Sequence, residues 1–451
     1  MTSSPAPVAV IGAGLAGCEA ALVLARHGIA VDLYEMRPQR PTPAHKTALP
    51  AELVCSNSLK TDRLPSAHGL LKAELGLLGS PLISLARKHR VPAGSALAVE
   101  REAFAAAVLE ALTREPAIRL VRHEVTKPPP ASCCLFASGP LTSDALTGWL
   151  GETFGGESLS FYDAIAPIID ADSIDTSTAF FGARREPGNT DYLNCPFSEE
   201  HYRRFYEALI AADRVEARAF ENERFFEACL PVEVVARRGY RALTFGALRP
   251  VGLDDPRTGR WPFAVCQLRR ENRAGTAYNL VGFQTRLAIG EQRRVFRMIP
   301  GLEHAAFLRY GSIHHNTYLD SPRLLSEDLS FKTRPDCFLA GQLCGNEGYT
   351  ESIATGHLGA LFIAARLHGR TLAGPPASTA LGALLRHVTA SENRPFVPSN
   401  INFGLLDSLP PVKGRRREAK RERHQRACDR GLEELDRWRR SDARPAGIII
   451  F

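Results

Sequence analysis

The chain opens on an apolar run, Val8-Ala9-Val10-Ile11, that stops at Gly12-Ala13-Gly14-Leu15-Ala16-Gly17. An alanine- and leucine-rich stretch follows from Glu19 to Arg26, and a second apolar run from Ile29 to Tyr34 ends at Glu35. The pattern predicts strand, glycine turn, helix and strand. Glu35 stands 18 positions beyond Gly17, the spacing a dinucleotide-binding unit requires. The first glycine allows the tight turn, the second lets backbone approach a pyrophosphate, and the third lets helix pack on strand. The helix N-terminus then offers unpaired N–H groups and a partial positive charge to the phosphates. Glu35 can accept hydrogen bonds from a ribose.

Beyond this unit the periodicity predicts a helical stretch over 69–90, a helix over Ala103–Thr113 and an alternating strand over Ile118–Val125. A strand from Cys133 to Ala137 runs into Ser138-Gly139-Pro140. From about residue 150 aromatic residues become frequent, and 151–325 reads as an inserted second domain. Asp336–Ala340 then returns to a strand ending in Gly341-Gln342, and Glu347-Gly348-Tyr349 opens a small-residue helix, Ile353–Leu367. This second strand–glycine–helix unit sits where a two-dinucleotide-type flavoprotein aims a second helix N-terminus at the flavin. The expected fold is α/β, a Rossmann-like FAD-binding domain of the glutathione-reductase type carrying an inserted α+β domain. Its expected segments are 1–150 and 326–412 for the FAD-binding domain, 151–325 for the insertion, and 413–451 for a basic C-terminal tail.

Charge and cysteine content narrow the chemistry. The formal net charge is +7, and it is uneven: eight Lys or Arg lie between Lys413 and Arg426, opposed only by Glu418 and Glu422. Such a segment suits a polyanion, with Arg415, Arg416, Arg417, Lys420 and Arg421 as RNA-contact candidates. A solvated helix with internal ion pairs is the alternative. None of the ten cysteines forms CxxC or a zinc-ligand spacing, so no metal site is expected. No apolar run reaches transmembrane length, and the first residues lack a secretory pattern; a cytoplasmic location is expected. Cys55, in Ala51–Lys60, has polar neighbours, and Cys229 precedes Leu230-Pro231 with Arg224, Arg237 and Arg238 nearby. From the residues alone each is either a buried structural cysteine or a reactive thiol.

Taken together, VIGAGLAGCEAA, LYEMRPQRPTPAHKT, AELVCSNSLK, VPAGSALAVER, FFEACLPVEVVARRG and LAGQLCGNEGYTESIATG resemble the folate- and FAD-dependent tRNA uracil-5-methyltransferases (TrmFO). The resemblance runs from residue 8 to about residue 407. It implies FAD as cofactor, 5,10-methylenetetrahydrofolate and NADH or NADPH as co-substrates, and the T-loop uracil of tRNA as acceptor, with no obligate protein partner. It implies Cys229 as the nucleophile on uracil C6 and Cys55 as its helper, the base at C5. Covalent addition of a thiolate makes C5 nucleophilic, and a reduced flavin supplies the hydride that completes the methyl group. Tyr349, beside the expected flavin helix, offers an aromatic face. The same chemistry on a ribosomal RNA uracil, or a GidA-like modification of wobble uridine, are the alternatives.

Overall fold

A strand buried on both faces needs apolar residues throughout rather than in alternation, and Val8–Ile11 meets that demand. The structure, a computed structural model of the 451-residue chain, describes residues 6–42, 44–155, 158–184, 186, 188–215, 230–392, 396–409 and 419–442, with backbone alone at 158–164, 313–316 and 441–442. Val8–Ile11 lies inside a six-stranded sheet ordered Ser330–Phe331, Arg334–Leu339, Cys134–Phe136, Val8–Ile11, Val31–Glu35, Ile118–Arg122. The last five strands pair in parallel. Ser330–Phe331 closes one edge as an antiparallel hairpin.

Two helices cover this sheet at its centre, Leu15–Arg26 and Tyr349–Leu367. They approach to backbone contact. A Cβ added to Gly356 would lie 2.2 Å from the Ala16 carbonyl oxygen, and one added to Gly341 would lie 3.1 Å from Ala16 Cβ. Small residues are therefore a packing requirement here. A buried Glu19 accepts from the Leu82 amide at 3.0 Å and pairs with His357 Nδ1 at 2.8 Å, so the polar pair between the helices is satisfied.

The expected helical stretch over 69–90 is two helices, Ala67–Leu77 and Pro81–Lys88, meeting at 113°. Gly79 takes φ +69°, which terminates the first. Ser80 caps the second by accepting from the Ile83 amide, and Pro81 stands in its first turn. No single helix among the described residues is long and apolar enough to cross a membrane.

A second sheet is antiparallel throughout, ordered Phe180–Phe181, Tyr192–Phe197, Ala264–Arg270, Ala277–Leu280, Ile168–Asp170, Phe307–Arg309. With the helix Glu199–Ala211 it encloses its own buried cluster between Ile169 and Ala305, rich in rings such as Phe197, Tyr202, Phe205 and Phe283. The two lobes are joined by an antiparallel ribbon, Ser158–Ala164 with Ile313–Leu319. They also meet at Asn57. Its amide donates to Arg270 O at 2.9 Å, and its Oδ1 accepts from Arg269 Nε at 2.9 Å.

The C-terminal basic segment, where described, is the helix Lys420–Asp442. Ala427, Cys428, Leu435 and Trp438 are buried, and Trp438 Nε1 donates to Ala373 O at 2.9 Å. Its neighbour Ala67–Leu77 carries the buried Glu74, whose carboxylate accepts from the amides of Ala380 and Leu381 at 2.8 and 2.9 Å and so caps the helix Ala380–Thr389. Burial nevertheless pushes the Glu74 carboxyl up to about 8.

Two outcomes follow. Helix propensity favours alanine over glycine by about 1 kcal/mol, but at Gly356 the backbone clash dominates. Gly356→Ala is expected to lower stability by about 1–3 kcal/mol, read as a lower guanidinium midpoint with little change in slope; an unchanged or higher midpoint would refute the contact. For Glu74 the folded pKa is raised, so its stabilisation is complete below the unfolded value near 4.5 and is lost as pH rises toward about 8. Wild type should lose stability relative to Glu74→Gln by up to about 1.4 kcal/mol per pH unit across that window, measured by denaturation at a series of pH values.

Candidate active site

The three glycines of the first turn divide their tasks as their spacing requires. Gly12 has φ +104°, and a Cβ there would lie 2.6 Å from Ala137 O. A Cβ on Gly17 would lie 1.9 Å from Gly12 O, which fixes how closely helix meets strand. Gly14 differs: nothing lies within 4 Å of its missing Cβ. It is the N-cap of Leu15–Arg26 and no side chain caps that end, so the turn Ala13-Gly14-Leu15-Ala16 keeps its N–H groups for an anion. Gly12 and Gly14 line a cavity together with Tyr34, Glu35, Val125 and Ser138. Gly139, φ +72°, is likewise open beside it.

Glu35 faces the same cavity but is not a free carboxylate. Its Oε1 accepts from the Arg37 amide at 3.0 Å and from Arg37 Nε at 2.9 Å, and its Oε2 from Arg37 Nη2 at 3.0 Å. Burial raises its pKa, and Arg37's hydrogen bonds and charge outweigh that and hold it below the usual carboxylate range. Oε2 keeps one acceptor position, enough for a ribose hydroxyl. Arg37 also reaches Thr47 O and Glu52, each at 3.1 Å, which ties the following loop to the strand.

The second glycine unit repeats the open N-terminus. Gly348, φ +121°, caps Tyr349–Leu367 without a side-chain hydrogen bond. Just before it Gly341 has φ +78°, and Gln342 Nε2 donates to Glu347 Oε2 at 2.8 Å. The buried Asn346 Oδ1 has no partner among the described residues. Donors and acceptors left open beside two glycine turns are what a dinucleotide with a flavin head would fill.

Cys55 is brought to this second unit from 294 residues away. The Tyr349 hydroxyl accepts from the amides of Cys55 and Ser56, at 2.8 and 3.2 Å. Arg101 donates to Leu53 O at 2.6 Å and Cys55 O at 3.4 Å while pairing with Glu271 at 2.7 Å. Arg101, Arg269 and Arg309 all interact electrostatically with Cys55, the cationic setting in which a thiolate forms. The eight other described cysteines are buried, and burial pushes every one of their thiols up. Tyr349 itself is pushed up by burial, so its phenol stays protonated.

Cys229 and Arg415–Arg417 lie outside the described residues. Lys420 and Arg421 are exposed in the first turn of the C-terminal helix. Among the described residues no cluster of His, Cys, Asp or Glu is arranged to hold a metal. Asn57, Arg101, Arg269 and Arg309 are not legible from the sequence as neighbours of the Cys55 segment, because the contacts that define them span 46 to 254 positions; the polar AELVCSNSLK segment is the one local signal.

The sheet order and the two open glycine turns define a Rossmann-type FAD-binding fold. A solved GidA from Aquifex aeolicus shares it, with a TM-score of 0.65 at 13% identity over 98% of this chain and 80% of that one. Residues 7–371 match the family described as Glucose inhibited division protein A. Within it, this chain belongs to the methylenetetrahydrofolate–tRNA-(uracil-5-)-methyltransferase (TrmFO) family: it is 51% identical to the Koribacter versatilis protein over 96% of this chain and 97% of the relative, and 53% identical to that of Desulforudis audaxviator over 96% and 98%.

Tyr349→Phe removes the shared acceptor for two part-buried amides. The expected cost is about 1–3 kcal/mol, with faster labelling of Cys55 by a thiol reagent, followed by mass spectrometry of its peptide. Unchanged labelling would mean that the hydroxyl does not hold the loop.

Proposed function

We propose that this protein transfers a one-carbon unit from 5,10-methylenetetrahydrofolate to a T-loop uracil of tRNA and reduces it to a methyl group, using FAD and NADH or NADPH, in the cytoplasm. The observation that carries the reading is Cys55: partly buried, within electrostatic reach of three arginines and tied to the second glycine helix, in a chain about half identical to TrmFO proteins along nearly its whole length.

Gly12, Ala13, Gly14, Leu15, Ala16 and Gly17 take the pyrophosphate of FAD, and Glu35 takes its ribose. Gly139, Gly341, Gln342, Gly348 and Tyr349 border the flavin end. Bound FAD supplies the hydride that turns the transferred methylene into methyl.

The protein's own residues do the rest. The Cys229 thiolate forms a bond to uracil C6, and the electron pair displaced from the C5–C6 double bond makes C5 the nucleophile. C5 bonds to the folate methylene as one of that carbon's two carbon–nitrogen bonds breaks. Cys55 then takes the proton from C5, and the electron pair left behind expels the second folate nitrogen, so the carbon stays on C5 as an exocyclic methylene. Once hydride has reached that carbon, the electrons return to C5–C6, Cys229 leaves as the thiolate and the ring is restored. A base inside a folded RNA has to leave its stack to reach these thiols. Arg415, Arg416, Arg417, Lys420 and Arg421 hold the RNA backbone without reading its sequence.

The test is transfer of label from folate to unmodified tRNA, scored as 5-methyluridine, with flavin-loaded wild type, Cys229→Ser and Cys55→Ser. Cys229→Ser is expected to give no product, and Cys55→Ser a rate lower by about 100-fold or more. Full activity in either variant overturns that residue's assignment.

A further inference from the structure

Large apolar side chains gathered in the open mark a contact surface. Phe245, 78% exposed, is the most exposed large hydrophobic residue among those described, and Trp261 is 53% exposed. Both belong to one face of the second lobe. Arg241 caps the turn Ala242–Phe245, and Phe245, four positions on, stands on the same side of it. The Arg241 guanidinium lies over the Phe263 ring, 5.1 Å from its centroid. Trp261 precedes Phe263 by two residues, so their Cα atoms are at most about 7 Å apart. Tyr240 completes the cluster, with its ring 6.5 Å from that of Phe263 and 5.1 Å from that of Tyr206.

From Arg237 to Trp261 the chain carries six arginines and two aspartates. Asp255 is taken by Arg257 at 2.7 Å. Arg241, Arg249 and Arg260 are exposed and, among the described residues, have no carboxylate partner. Arg249 turns back onto Gly246 and Arg260 adjoins Trp261, so this charge lies beside the two exposed rings. The helix Glu199–Ala211 borders the cluster at Tyr240, where Glu199 and Glu207 act against Arg203 and Arg241; that edge is balanced. Rings and unpaired guanidinium groups side by side suit unpaired nucleotides: a ring stacks on a base of any kind, and arginine meets the phosphates between bases. A duplex offers chiefly its backbone, because its bases are already stacked. Aromatics and arginine also concentrate at protein interfaces, but unopposed charge favours a polyanion. The same segment continues the chain beyond Cys229. Leu230-Pro231 leads into the helix Val232–Ala236, which packs on Ala242–Phe245, and the Val232 amide donates to Gln284 O at 2.7 Å.

We propose that this face of the second lobe is a stacking platform for unpaired loop nucleotides of the RNA substrate, those flanking the base that is modified. Phe245 and Trp261 stack on the bases, and Arg241, Arg249 and Arg260 hold the phosphates between them. The inference rests on the tRNA reading above and adds to it a preference for looped over paired RNA. A base drawn out of the loop leaves its neighbours without a stacking partner, and the two rings replace what they lose.

The experiment uses the flavin-loaded, full-length protein with two probes: an RNA hairpin carrying the unmodified T loop, and a fully paired RNA duplex of the same length. Fluorescence anisotropy over a series of salt concentrations gives Kd, and 5-methyluridine formation in the hairpin gives KM and kcat. Wild type should bind the hairpin more tightly than the duplex. Phe245→Ala and Trp261→Ala should each weaken hairpin binding by about 5- to 100-fold, leave its salt dependence and duplex binding unchanged, and raise KM more than they lower kcat. Phe245→Tyr should restore the affinity. Arg241→Gln should instead flatten the salt dependence. Unchanged hairpin affinity in both alanine variants overturns the proposal. So does an equal loss on hairpin and duplex, which would mean that the rings do not meet loop bases. Wild-type self-association that Phe245→Ala abolishes without altering RNA affinity would assign the face to a protein partner. Wild type that binds the hairpin and forms no 5-methyluridine would end the functional reading; wild type that methylates it while every variant behaves identically would end only this one.

Discussion

The arrangement of the site depends on one close approach. No side chain separates Gly356 from the carbonyl of Ala16, so the helices Leu15–Arg26 and Tyr349–Leu367 lie backbone against backbone. Ala16, in the first turn of one helix, thereby also touches Gly341, in the turn leading to the other. A single larger residue at this crossing would part the two glycine units. Between them the buried Glu19 and His357 satisfy each other, and Glu19 holds the start of Pro81–Lys88 as well. That polar contact adds directional hydrogen bonds to what packing alone would leave free to slide.

Placement then sets Cys55 apart from the other described cysteines. Desolvation raises the eight buried cysteines, Cys18 and Cys344 among them although both lie beside a glycine turn. Closeness to the cofactor path is therefore not sufficient. Cys55 combines partial exposure with guanidinium groups from both lobes, Arg101 from one and Arg269 and Arg309 from the other. Its environment exists only when the lobes are together, which makes the second lobe part of the thiol's chemistry and not solely a surface for substrate.

What the sequence discloses follows from the range of each interaction. The Gly12–Gly17 turn is legible because its constraints are local backbone ones. The break at Gly79–Pro81 is local too, yet apolar periodicity continues across it and hides the bend. Glu35 reads as a lone acid because spacing does not reveal that Arg37 folds back onto it. The basic C-terminal segment reads as solvated from its charge, while Ala427, Cys428, Leu435 and Trp438 recur at helical spacing and bury its other face. Tyr349 with Cys55, and Asn57 with Arg269, are products of the tertiary fold, and no local pattern announces them.

The ties between lobes constrain how a nucleic acid is engaged. Asn57 bridges to Arg269 and Arg270 in a buried position. Tyr192 donates to Ala93 O at 3.0 Å, Gly94 N to Asp191 at 2.6 Å, and Arg63 pairs with Glu186 at 2.6 Å. Parting the lobes here would strand a buried amide and a buried guanidinium, each costing more than a surface contact returns. The lobes are thus held in a fixed relation around Cys55. On the function proposed above, a uracil brought there has to pay its own unstacking on the RNA side, because lobes tied in this way offer no hinge to assist it.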